Sequence, residues 1–262
     1  MAKAYEKIAD DLRARIRAGQ LRPGDRLPSE ADLVRSTGRS GPTVQQALRV
    51  LQTEGLIEKQ HGRGTFVRRP RTRVQRSNAR HQWEKDRARV AEARRLSTGA
   101  TEHDTGLAVD DLVFHASYEE IEAARDIAEA LGVPEGTPLL RRSYRTRHSA
   151  ERAPFTLVTS HLVRSHIESN PDLLDETNEP WPGGTWNQLH TVGIEIVRVD
   201  EHVTARPPTV EEAEELELGP GTAVLVLRKS SYDTGGRVVE VSDVVLPGDR
   251  TDMLFTTHLE RW

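Results

Sequence analysis

The side chains best suited to contact another molecule lie close together near the start of the chain: Arg39, Ser40, Thr43, Gln45, Gln46 and Arg49, followed by His61, Gly62, Arg63 and Gly64. A glutamine amide matches the N6 and N7 edge of adenine, and hydroxyl and guanidinium groups suit phosphate. A slim glycine backbone carrying a cation fits a minor groove. These residues therefore suit duplex DNA. Catalytic chemistry has fewer candidates. There is no cysteine, which excludes a thiolate metal site, a disulfide and a Cys nucleophile. No HExxH, GxSxG, phosphate loop or nucleotide-binding glycine fingerprint occurs, and His161 and His166 lack metal-ligand spacing. No cofactor and no metal are expected.

The elements that would position the DNA-facing residues follow from periodicity. Ile8, Leu12 and Ile16 behind Tyr5 form the stripe of a helix over 4–18, ended by Gly19. Leu21–Pro28 is a rigid turn segment. Ser29 and Asp32 then begin a second helix in the manner of a capping box. Thr37, Gly38 and Arg39 break the chain before a cap at Ser40, and Val44, Ala47, Leu48 and Leu51 mark a third helix over 42–54. Two short helices across a glycine-containing turn form a helix-turn-helix, and the strands 56–60 and 65–67 across the His61–Gly64 tip form its wing. Arg39, Ser40, Thr43, Gln45, Gln46 and Arg49 then lie at or near the exposed N-terminal end of the third helix.

Charge divides the chain in the same way. Residues 1–95 hold 23 Lys and Arg against 11 Asp and Glu, a formal +12; residues 96–262 hold 14 against 30, a formal −16, together the chain's −4. A basic head attracts the phosphate backbone and an acidic body repels it. With 35% hydrophobic and 30% charged residues, a mean hydropathy of −0.62 and no long apolar run, neither a membrane span nor a signal peptide is expected, and the cytoplasm is the expected compartment.

The run LRPGDRLPSEADLV and then GRSGPTVQQALRVLQTEGLIEKQHGRGTFV resembles the DNA-binding domain of the GntR family of bacterial transcription regulators over about residues 3–69. Relatives commonly place Arg where this chain has Gly41 and Gln45, so the family's usual half-site is not carried over. Residues 70–95 read as a basic linker, helix-like after Asn78. Beyond it, strands over 112–118, 139–147, 154–162, 194–205, 223–232 and 238–246 alternate with helices over 123–131, 185–191 and 210–218. The pattern predicts an α+β domain with a mainly antiparallel sheet.

Arg145 with Arg147, the Leu216–Gly221 turn and VVEVSDVVLPGDR at 238–250 make residues 96–262 similar to the UTRA effector-binding domain of the HutC branch, which shares its fold with chorismate lyase. The resemblance implies a small anionic effector held by Arg145, Arg147, Ser160, Thr185 and Glu240. Val158 stands where relatives often have Glu and Leu246 where they often have Tyr, which makes a sugar phosphate a poorer fit. The expected protein is a homodimeric repressor on operator DNA, released by a metabolite. The alternatives are an enzyme of chorismate-lyase-like fold fused to a DNA-binding head, and a ligand-independent DNA-binding protein.

Overall fold

A computed structural model describes residues 3–60 and 62–260. The chain forms two units, one comprising the residues up to Thr72 together with Pro207–Ala223, the other Arg73–Arg206 with the residues from Val224 onward.

In the first unit, α1 (Ala4–Arg17), α2 (Glu30–Thr37) and α3 (Gly41–Thr53) enclose a core of Ile8, Leu12, Leu33, Val44, Leu48 and Leu51. Ser29 caps α2, its hydroxyl accepting from the Asp32 amide, and Gly38 ends the helix in the left-handed conformation. Arg13 of α1 grips Glu54 just past α3 with two hydrogen bonds of 2.8 and 2.6 Å, fixing the axis of α3. Strands β1 (Ile57–Gln60) and β2 (Gly64–Val67) pair antiparallel as the expected wing. The turn segment before α2 adds a further ladder: Leu27 N donates to Thr65 O, Val67 N to Asp25 O and Gly24 N to Val67 O, each at 2.8 Å. The wing is thus held along both edges of β2. The short helix α10 (Val210–Glu215), capped by Thr209, also belongs to this unit.

The second unit is built on a six-stranded antiparallel sheet of β4 (Leu112–Glu122), β5 (Pro138–His148), β6 (Thr156–Val163), β7 (Ile196–Arg206), β8 (Val224–Asp233) and β9 (Val238–Pro247), in the order β4-β5-β6-β9-β8-β7. One face packs on α7 (Arg125–Leu131) through Ile127, Leu131, Leu139 and Val241. The other face meets α4 (Arg80–Ala88) and α9 (Gly184–Thr191) through Ala88, Leu140, Leu162, Trp186 and Leu189. The expected 70–95 linker carries β3 (Val74–Ser77), α4 and nearly all of α5 (Glu92–Leu96), and α6 (Ala100–Thr105) follows. Strand β3 pairs in parallel with β10 (Thr251–Leu254).

Candidate nucleic-acid interface and ligand cavity

Helix α3 shows two faces. Val44, Ala47, Leu48 and Leu51 are buried, while Gln45, Gln46 and Arg49 are exposed, as are Arg39 and Ser40 before them; Thr43 is half-buried. Ser40 occupies the N-cap without accepting a backbone hydrogen bond, because its hydroxyl lies 2.9 Å from that of Thr43. Pro42 carries no N–H and the Thr43 and Val44 amides donate to the Ser40 carbonyl at 3.0 and 3.1 Å, so the start of α3 offers an anion little beyond the Gly41 amide. Gln45 is engaged: its Nε2 donates to Glu30 of α2 at 2.9 Å, and Lys59 of β1 lies 3.9 Å from the other Glu30 oxygen. At the wing tip, Gly62 and Gly64 take φ of +71° and +120°, and Gly62 and Arg63 are exposed. His61, expected at the same tip, lies outside the described residues.

The second unit contains a cavity of about 400 Å³. Its floor follows from strand register. Arg142, Ser160, Ser242 and Lys229 lie side by side across β5, β6, β9 and β8, next to a second row of Tyr144, Val158, Val244 and Leu227. Arg142 is only 1% exposed; it donates to Gln188 at 2.6 Å, to Thr185 at 3.3 Å and to Ser160 at 3.4 Å. Glu240 accepts from Ser160 at 2.8 Å and pairs with Lys229 at 2.9 Å. Burial alone would raise the Glu240 carboxyl, but Lys229 and Arg142 outweigh it and hold the group at about 2.

The opposite wall comes largely from the segment expected to be a linker. Arg76, Arg80, His81, Glu84, Arg87 and Arg95 line the cavity. Arg80 pairs with Glu84 and Asp104, and Arg76 with Glu201. Burial disfavours charge on His81, but Glu201 and Glu84 outweigh it and raise its pKa. The Nε atoms of Arg80 and Arg87 and the Nε1 of Trp186 are buried without a hydrogen-bond partner, so the orphan groups on this wall are donors. Leu112, Phe114, Val158 and Val244 make an apolar side.

Of the five residues expected to hold a ligand, Ser160, Thr185 and Glu240 line this cavity and Arg145 and Arg147 do not. Side chains alternate across a strand, so Arg142, Tyr144 and Thr146 share the cavity face of β5 while Arg145 and Arg147 take the other. Arg145 donates to the carbonyls of Tyr144 and Val158, and Arg147 to those of His148, Ser149 and Glu151. Sequence reasoning missed Lys229 and the α4 residues, and also Arg142, which does not line the cavity but supports Ser160 and Thr185 from behind.

Comparison with known proteins places both units. The model for bacterial regulatory proteins of the gntR family matches residues 4–67, and that for the UTRA domain matches residues 115–252. An HTH-type transcriptional regulator of Streptomyces coelicolor is 30% identical over 95% of this chain and 90% of its own. The HTH-type transcriptional repressor NagR of Bacillus subtilis is 27% identical, covering 98% and 95%. The histidine utilization repressor of Klebsiella aerogenes is also 27% identical, covering 95% and 92%. A crystal structure of a GntR-family transcriptional regulator superposes with a TM-score of 0.63 at 28% identity, covering 98% of both chains.

Proposed function

The chain belongs to the GntR family of bacterial regulatory proteins and carries a UTRA domain, and from that premise we propose how it regulates. It is a DNA-binding transcription regulator controlled by an effector. In our reading α3 enters the major groove with Gln45, Gln46 and Arg49 toward the bases, Arg39, Ser40 and Thr43 toward phosphate, and the wing with His61, Gly62, Arg63 and Gly64 toward the minor groove. Two copies bind one operator, because a single winged helix reads too few base pairs to select a site. The protein works as a cytoplasmic repressor without enzymatic turnover.

The effector is a small anion with an apolar body, bound in the cavity among Ser160, Thr185, Glu240, Lys229, Phe114 and Val158, with Arg142 buried behind Ser160 and Thr185. We retain the family-derived Arg145 and Arg147 only as supports of β5, since they lie away from the cavity. One observation carries this reading: the cavity wall includes Arg80 and His81 of α4, which begins soon after Thr72, where the DNA-binding unit's first segment ends. A ligand there bears on the chain that leads to the DNA-binding head. Control then requires only that the ligand bind the DNA-competent and DNA-incompetent states unequally.

The test uses the full-length protein and its own promoter region. Operator affinity should fall steeply with salt, with a slope of roughly −0.9 per phosphate contacted. Apolar organic acids should raise the melting temperature and release the operator, and Phe114→Ala should abolish both effects while leaving ligand-free DNA binding intact. Equal affinity for promoter and random DNA would remove the operator reading. Hits that stabilise the protein yet leave operator affinity unchanged would remove the coupling.

A further inference from the structure

We propose that Glu30 sets the base preference of the recognition helix by fixing the amide of Gln45 for adenine. Glu30 is the first residue of α2 and Gln45 lies in the second turn of α3; the contact is a 2.9 Å hydrogen bond from Gln45 Nε2 to Glu30 Oε2. A carboxylate only accepts hydrogen bonds, so the nitrogen side of the amide must face it and the orientation of Gln45 is decided by chemistry. Lys59 of β1, 3.9 Å from Glu30 Oε1, holds the carboxylate from the wing. Glu30 therefore joins α2, α3 and the wing at the base of the reading side chain.

The hydrogen bond consumes one of the two amide protons of Gln45. What is left for the groove is one N–H and the carbonyl Oε1. Adenine offers N7 as acceptor and N6–H as donor, and it satisfies both remaining groups. Guanine offers N7 and O6, two acceptors, so one amide proton is satisfied and the carbonyl faces an oxygen. An unrestrained glutamine can turn both protons outward; one held by Glu30 cannot. The inference rests on α3 lying in the major groove, and it makes Glu30 a positioning residue that touches no base.

The experiment selects binding sites from a randomised duplex library with the purified full-length protein, its Gln45→Ala variant, Glu30→Gln, which keeps the reach but can donate as well as accept, and Glu30→Asp, which keeps the charge on a shorter stem. The wild type should show one position per half-site at which adenine is preferred over guanine by about tenfold. Gln45→Ala should erase that preference alone. Glu30→Asp, which falls short of the amide, and Glu30→Gln, which can meet either end of it, should both relax it toward guanine, with every other position unchanged in both. Neither Glu30 variant removes a buried group, so both stay folded, which thermal melting checks. An unaltered profile in either Glu30 variant overturns the role of Glu30. An unaltered profile in Gln45→Ala overturns the assignment of Gln45 as a reader. A wild type that selects no consensus overturns instead the DNA reading on which the proposal stands.

Discussion

Glu240 shows how one residue holds the cavity floor. Ser160 and Ser231 donate to it, Lys229 pairs with it at 2.9 Å and Arg142 lies 3.9 Å away, all buried or nearly so. Removing one partner of such a cluster leaves the others charged and unpaired, so Glu240→Ala should cost about 3–5 kcal/mol. The melting temperature should drop by on the order of 10 °C in calorimetry. Because the folded carboxyl titrates at about 2, below its ordinary value of 4.5, its contribution is present above 4.5 and lost as pH falls toward 2. His81 has the opposite sign. Its pKa is raised, so its contribution is complete below 6.5 and lost as pH rises through the raised value. Melting followed from pH 6 upward should show a decline that His81→Phe flattens. Glu240 was legible in the sequence by resemblance, whereas Arg142 was not. Among Arg141, Arg142, Arg145 and Arg147, only the register of β5 tells which faces inward.

Among the elements, the wing depends on a single backbone conformation. Gly64 holds φ +120°, and a Cβ added there would lie 2.8 Å from Arg26 Nε. Gly64→Ala should therefore strain the turn by about 1–2 kcal/mol. DNA affinity should weaken in fluorescence anisotropy while the α1–α3 core retains its far-UV signal. Helices α1 to α3 and the long strands were legible because a period of 3.6 or 2 runs through each. Residues 70–95 read as a linker in sequence for a physical reason: their inward-facing groups include Arg76 and Arg80, buried in ion pairs with Glu201, Glu84 and Asp104, and apolar periodicity does not register a core made of matched charges. The pairing of β3 with β10 had no local signature either, since its partners lie far apart in sequence.

For the molecule as a whole, the charge boundary near residue 95 does not coincide with the boundary of the two units, since residues 73–95 belong with the second unit and the acidic segment Pro207–Ala223 with the first. The parallel pairing of β3 with β10 has a further consequence. It places the first and last strands of the second unit side by side, with Gln75 donating to Asp252 and Asn78 exchanging two hydrogen bonds with Thr256. The two strands act as a clasp, running side by side in the same direction with Val74 beside Thr251 and Ser77 beside Leu254. Ending the protein at Pro247 should unfasten β3, loosen α4 and leave a ligand bound to the sheet with less purchase on the DNA-binding head. The expected result is a truncated protein that still binds operator but is no longer released by effector, read as an anisotropy titration in which ligand leaves the curve in place.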